Sequence, residues 1–408
     1  MGKYWLTLFP DVFLWKTRDD ILIYNSKNKK FCHILNHPVI EKYIGALHDL
    51  DNLFTVEVTE REINNPVVKT WIEKIIAIGA GQLLTQSENI LRPVSFFPLL
   101  NLQNDINHIR WMHKIGINGS IINTLQEIII HLTGSTSGNL LFAKQTIYPL
   151  PSFASIPIKD LINFLQSCKG GWLQKINLVG NVIGYAQLEE FGAWLDEHIP
   201  EWTVVQLASD IITNKELIDK LRIVKQLTVI CDDLSLLDKV TSTLKLYPDL
   251  NHTYIFPLTS EEMHEQIITE TEKYKITDCS IVPLFNGENI AFFEKYVYTT
   301  GDDFQEIQLS KREVFAHQAL NTNFFGKLIV LPDGKVYANL NHEALGTINE
   351  PIYDLLYREM DTGDSWRMIR DSKPCSDCVY QWLCPSPSNY ELIIGKNNLC
   401  HIKNGMNE

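Results

Sequence analysis

From residue 127 the chain alternates short apolar runs with amphipathic stretches, and few folds accommodate that order. The runs are Glu127–Thr133, Lys175–Val179, Thr203–Ala208, Leu227–Cys231, Thr253–Leu258 and Cys279–Leu284. Between them, Ile158–Gln166, Gln187–His198, Lys215–Ile223, Leu236–Leu246 and Glu261–Lys273 read as helices. Strands alternating with helices argue for parallel βαβ units and an α/β fold. Six such strands build either a partial α/β barrel or a doubly wound sheet, and the hydrophobic periodicity is the same in both.

The flanks follow other rules. Residues 1–90 read as a small α+β unit with strands at Tyr4–Leu8, Val12–Trp15, Ile21–Tyr24 and Lys30–His33. Helices are expected at Pro38–Leu47 and Pro66–Ile78. In the second, Val67, Val68, Trp71, Ile72, Ile75 and Ile76 share one face, Pro66 suits the first turn, and Gly79 and Gly81 can end it. Residues 91–126 form a connector with its own short helix, and 127–305 carry the alternating pattern. Within 306–408, Lys327–Tyr337 reads as a hairpin turning at Pro332-Asp333-Gly334, and Ile352–Met360 as a helix.

The most selective chemistry lies near the C-terminus. Four of the eight cysteines, Cys375, Cys378, Cys384 and Cys400, are spaced C-x2-C-x5-C-x15-C. Four thiolates complete a tetrahedral zinc site or hold one iron–sulfur cluster. His401 is an alternative ligand if Cys400 points away. Cys32, Cys168, Cys231 and Cys279 stand alone and read as buried or free thiols. No apolar run reaches the roughly 18 residues of a membrane helix, and the apolar stretch after Met1 is too short for a signal peptide. A cytoplasmic, reducing location follows as the expectation, which favours metal over disulfides. The triplets Asn118-Gly-Ser120 and Asn251-His-Thr253 are then accidental. A net charge of −13 and a pI near 5.4 argue against nucleic acid or a membrane surface as partner.

The order of strand, polar loop, helix, strand, helix, hairpin and C-x2-C-x5-C resembles radical SAM enzymes with a C-terminal SPASM domain, over about 127–400. In that family a loop after the first strand carries C-x3-C-x2-C, whose thiolates hold the 4Fe–4S cluster that binds S-adenosylmethionine. Here those three places fall on Thr136, Leu140 and Ala143, with Phe142 at the family's aromatic place. None of the three can ligate iron. The family's Gly-Gly-Glu at the second strand is replaced by Val179-Gly180-Asn181. The resemblance therefore implies a degenerate radical-SAM-like partial (β/α)6 barrel without S-adenosylmethionine.

The SPASM pattern has two ligand sets, and their losses are grouped. Asn339 stands where the hairpin cysteine would follow Gly334, no cysteine lies 9–15 residues before Gly334, and Ser388 stands at the x3 place. Cys375, Cys378, Cys384 and Cys400 match the second set in full. The resemblance implies one retained site, a 4Fe–4S cluster or alternatively zinc, structural in role with electron transfer second. Residues 1–90 resemble the winged-helix leader-recognition domains of peptide-modifying enzymes, which bind a leader peptide as an added strand. Ile21, Ile23, Tyr24, Phe31 and Trp71 are the residues this implies for the peptide. The whole resembles pseudo-radical-SAM proteins of ribosomal peptide natural-product maturation.

Three functions follow. The first is a non-catalytic accessory protein that binds a precursor peptide leader and a radical SAM partner enzyme. The second is an electron-relay subunit using the retained cluster. The third is an enzyme with new chemistry in the vacated barrel. Other candidates read as structural: Asp232-Asp233 and Asp302-Asp303 as loop ends, and His108 and His113 around Trp111 as surface groups. Gly134 and Gly138 lie in a loop that matches no phosphate fingerprint.

Overall fold

The computed structural model describes residues 2–87, 91–99, 103–117, 121–151, 155–168 and 171–402. The triplet Asn118-Gly-Ser120 lies outside them. Among the described residues no helix is long and apolar enough to cross a membrane.

The N-terminal unit contains two antiparallel three-stranded sheets. In the first, β1 (Lys3–Leu8) lies between β5 (Thr55–Thr59) and β6 (Gly81–Thr85). The second is a meander of β2 (Val12–Lys16), β3 (Asp20–Asn25) and β4 (Lys30–Leu35). Helix α1 (Pro38–His48) starts on a cap from the His37 side chain, and α2 (Pro66–Ala77) on one from Asn65; each has proline in its first turn, where no amide is needed. Gly79 follows α2 at φ +64°, the left-handed conformation glycine adopts at low cost. Val68, Trp71, Ile72 and Ile75 are buried, while Ile76 turns outward.

The α/β region is one large, mostly parallel sheet. Strands β7 (Glu127–His131), β8 (Lys175–Val179), β9 (Glu201–Leu207), β10 (Gln226–Ile230), β11 (Asn251–Leu258) and β12 (Cys279–Pro283) pair in chain order. That order lacks the reversal of a doubly wound sheet. One face, including Ile128, Ile130, Ile176, Leu178, Val204, Leu227 and Val229, packs against helices. These include α4 (Ile158–Ser167), α5 (Leu188–His198), α6 (Leu237–Leu244) and α7 (Glu261–Tyr274). Helix α3 (Gln103–Lys114) is the connector's own. The helical stretch Lys215–Ile223 is a 3-10 helix.

The sheet does not stop at residue 305. Strand β13 (Lys327–Val330) pairs in parallel with β7, so the hairpin expected beyond that boundary extends the same sheet. β14 (Lys335–Tyr337) and β15 (Gly346–Thr347) continue it antiparallel, giving nine strands. Helices α8 (Lys311–Ala319), α9 (Ile352–Thr362) and α10 (Asn389–Ile394) frame the cysteine segment.

Candidate functional site

The four C-terminal cysteines line one cavity, together with Arg370, Gln381 and Asn398. The chain folds to it through tight turns: the Cys378 amide donates to the Cys375 carbonyl, and the Leu383 and Cys384 amides both donate to the Tyr380 carbonyl. Cys400 arrives on a separate segment, bridged to Thr299 in parallel. The enclosed volume is about 20 Å³, room for one water-sized group. Among the described residues no three His, Cys, Asp or Glu side chains are drawn together closely enough to hold a single metal ion.

Burial and a nearby guanidinium act on two of these thiols in opposite directions. Burial pushes the Cys375 and Cys384 thiols up, while Arg370 pulls both the other way. Arg370 Nη1 lies 3.9 Å from Cys375 Sγ, and the Ile402 amide donates to Cys400 Sγ at 3.3 Å. Positive charge and N–H donors around sulfur favour the thiolate form and tune a bound cluster. Four soft donors on one cavity fit a thiolate-ligated metal group, and loading it would release protons. His401 is turned away: Nε2 lies 2.6 Å from the Glu294 carbonyl and its ring stands 5.3 Å from Tyr298.

Arg370 links this cavity to the start of α10. Its Nη2 donates to Glu391 at 2.8 Å, and the two side chains are only 11% and 7% exposed. Glu391 also completes a capping box with Ser388, so the residue at the x3 place serves as the N-cap of α10. Asn339, at the hairpin place, is buried and donates from Nδ2 to Asn389 Oδ1 at 2.8 Å. Asn341 donates to that same oxygen at 3.0 Å and to the Lys144 carbonyl at 2.9 Å. Asn389 in turn donates to the Gln145 carbonyl, and Gln145 exchanges two hydrogen bonds with the Phe285 backbone. A chain of amides thus joins the hairpin, the C-terminal helix and the loop after β7. Asn341, Asn389 and Gln145 were not singled out from the sequence; the close pair Asn339 and Asn341 was the available signal.

The loop after β7 does not gather its three marked positions. Thr136 and Leu140 are exposed, whereas Ala143 is buried. Ala143, Tyr148 and Leu150, with Phe142 and Ile147 half-buried beside them, pack on Val179, Val205, Leu207 and Ile230, the sheet face opposite the helices. Tyr148 donates to Asp232 Oδ2 at 3.1 Å. Burial raises the Asp232 carboxyl and pushes that of Asp210, also near this strand end, up to about 6. Asp233 caps a turn through the Ser235 amide, and Asp303 accepts from the Thr300 amide and hydroxyl. Gly138 sits where a Cβ would come within 2.4 Å of the Leu150 carbonyl, a packing requirement unrelated to phosphate. His113 stacks on Tyr357 at 3.7 Å and docks α3 on α9; His108 is exposed.

Ala143, Asn339 and Ser388, three of the positions where the resemblance expects cysteine, line one cavity of about 350 Å³. His131 at the end of β7 also lines it. The ring is buried, Nδ1 has no partner among the described residues, and burial lowers its pKa to about 3, so it is neutral.

In the N-terminal unit, Ile21, Ile23 and Trp71 are core. Tyr24 is buried with its hydroxyl donating to the Leu309 carbonyl, and Phe31 packs on Tyr380. These five side chains pack within the protein, Phe31 only in part, and the exposed side chains of β4 are Lys30, His33 and Leu35. β4 is an edge strand of its sheet, α2 places Lys74 beside Cys32, and Leu35 is 74% exposed.

No protein-family model and no curated protein matches this chain. Among solved structures it is similar to Streptococcus suis SuiB bound to precursor peptide SuiA, at 13% identity, 97% of this chain and 98% of that one, with a TM-score of 0.48. It is likewise similar to SuiB bound to S-adenosylmethionine, at 12% identity, 97% and 99% coverage and a TM-score of 0.47.

Proposed function

We propose that this chain is a non-catalytic accessory protein of ribosomal peptide maturation, built on a degenerate radical-SAM-like partial barrel. Its N-terminal unit is winged-helix-like and its C-terminal unit SPASM-like. It binds the leader of a precursor peptide and a catalytically intact radical SAM partner. The observation that carries this reading is the loop after β7. It has no thiol at residues 136, 140 or 143, and Phe142, Ile147, Tyr148 and Leu150 pack over the sheet face where that family keeps its cofactor.

The leader docks as a strand on the β4 edge beside α2, where backbone hydrogen bonds supply affinity and the neighbouring helix supplies contacts for alternate side chains. Cys375, Cys378, Cys384 and Cys400 hold one 4Fe–4S cluster, for which the thiols must part from around their cavity of about 20 Å³; with four thiolates such a cluster has no open iron and serves structure. A single zinc, about 2.3 Å from each of the four sulfurs, is the alternative occupant.

Calorimetric titration with S-adenosylmethionine tests the reading. No binding is expected at micromolar ligand, with precursor peptide retained in a pull-down by the same preparation. Micromolar binding of S-adenosylmethionine would overturn the assignment of Thr136, Leu140 and Ala143.

A further inference from the structure

We infer that the retained cysteine centre controls the order of the peptide-docking strand β4, with Tyr380 as the positioning residue between them. This rests on the reading of β4 as the docking edge.

The argument begins with the two faces of the meander. Alternation sends Ile21 and Ile23 into the N-terminal core, with Cys32 and Ile34 packed against it. It sends Leu22, Tyr24 and Phe13 the other way, into a cluster with Phe304, Val314, Val379 and Leu383. Tyr380, Trp382 and Cys384 pack against that cluster too, so residues between the cysteines wall the recognition sheet. Tyr380 makes the contact with the edge strand itself. Its ring lies 6.1 Å from Phe31 and 5.6 Å from His33 on β4, and 4.4 Å from Phe304 behind it.

Tyr380 is held by the same turn that presents Cys384, because its carbonyl accepts the Leu383 and Cys384 amides. A metal group bound by Cys378 and Cys384 therefore pins both ends of the segment carrying Tyr380. Without it, the segment keeps its turn hydrogen bonds and the packing of Tyr380 on Phe304 but loses the anchor at both its ends, and β4 loses a fixed surface under Phe31 and His33. An edge strand supported on one face opens more often, and a peptide docking there must first restore its order. Coupling of this kind is reciprocal and typically changes affinity 5- to 150-fold.

Hydrogen exchange on the full chain tests the coupling without any peptide. Iron- and sulfide-reconstituted protein is compared with the same protein after chelation. The amides of residues 30–35 are expected to exchange about tenfold faster after chelation, with those of 55–59 unchanged. Metal-loaded Tyr380→Ala should exchange like the stripped protein while keeping its iron, and Tyr380→Phe like the loaded one. If Tyr380→Ala does not fold, Phe31→Ala, made from the opposite side of the contact, reads the same effect. Equal exchange in loaded and stripped protein would overturn the inference. A chain that shows the coupling but binds no peptide leaves the inference standing and overturns the docking reading.

Discussion

The ring of Tyr380 stands edge-on to that of Phe31, centroids 6.1 Å apart and planes at 90°. One of these residues lies between Cys378 and Cys384, the other on an edge strand nearly 350 positions earlier in the chain. Edge-to-face pairs of this kind contribute about 0.5–1.5 kcal/mol beyond the area they bury. The contact joins two units that sequence reasoning treats as separate, and Tyr24 adds a hydrogen bond from the same sheet to the Leu309 carbonyl. The N-terminal unit is thus seated on the cysteine segment.

The Arg370–Glu391 pair is the main ionic brace of that segment. Removing one member of a buried pair leaves the other charge uncompensated, at a cost of about 3–5 kcal/mol. Glu391→Gln should lower unfolding stability by about 3 kcal/mol in urea titration. A change within about 0.5 kcal/mol would mean that solvent already screens the pair.

The amide chain gives a second stability prediction. Asn389 Oδ1 accepts from both Asn339 and Asn341, and Asn389→Ala leaves the buried Asn339 donor short of a partner while half-buried Asn341 keeps the Lys144 carbonyl. A loss of about 2 kcal/mol is expected in urea titration. An unchanged midpoint would remove the amides from any account of how the hairpin is held.

Glu359 gives a pH signature. It accepts the Ser365 and Trp366 amides, and burial pushes its carboxyl up from 4.5 to about 7. A carboxyl whose folded pKa lies above its unfolded value keeps its proton longer when folded. Stability therefore falls as pH rises through the interval between about 4.5 and about 7. Glu359→Gln keeps an acceptor oxygen for both amides and carries no charge. Stability relative to wild type should rise across that interval by on the order of 3 kcal/mol. A pH-independent difference in melting temperature would contradict this.

Metal removal should act on the whole C-terminal unit. Cys378→Ser is expected to lower the melting temperature by about 5 °C or more, corresponding to roughly 2 kcal/mol. Trp382, packed in the shared cluster, should report the change by fluorescence. An unaltered melt would mark the cysteines as incidental.

Much of the fold was readable because its strands are short, apolar and bounded by turns. Lys175–Val179 matches the observed strand residue for residue, and most other α/β strands differ by one or two residues at their ends. Strand order was not readable, since periodicity reports which residues face a core and says nothing of which strand lies alongside. The pairing of β13 with β7 escaped for that reason. β6 was missed because Gly79 and Gly81 were taken only as helix terminators, although Gly81 also opens a strand.

The site was readable where chemistry is discrete. Four cysteines at fixed spacing identify themselves, and the structure places all four on one cavity. The N-terminal residues were harder. Both faces of β3 are apolar, so Tyr24 looks like a binding residue until Leu309 and Phe304 are found against that face. The partners come from nearly 300 residues downstream, beyond any local pattern.

On the proposed reading the protein lacks a catalytic cluster and keeps one cysteine-bound metal site. Iron, sulfide and zinc content of the anaerobically purified chain measures that directly. The account predicts about four iron and four sulfide per chain, the content of a single 4Fe–4S cluster. About eight iron per chain, or neither iron nor zinc, would contradict it.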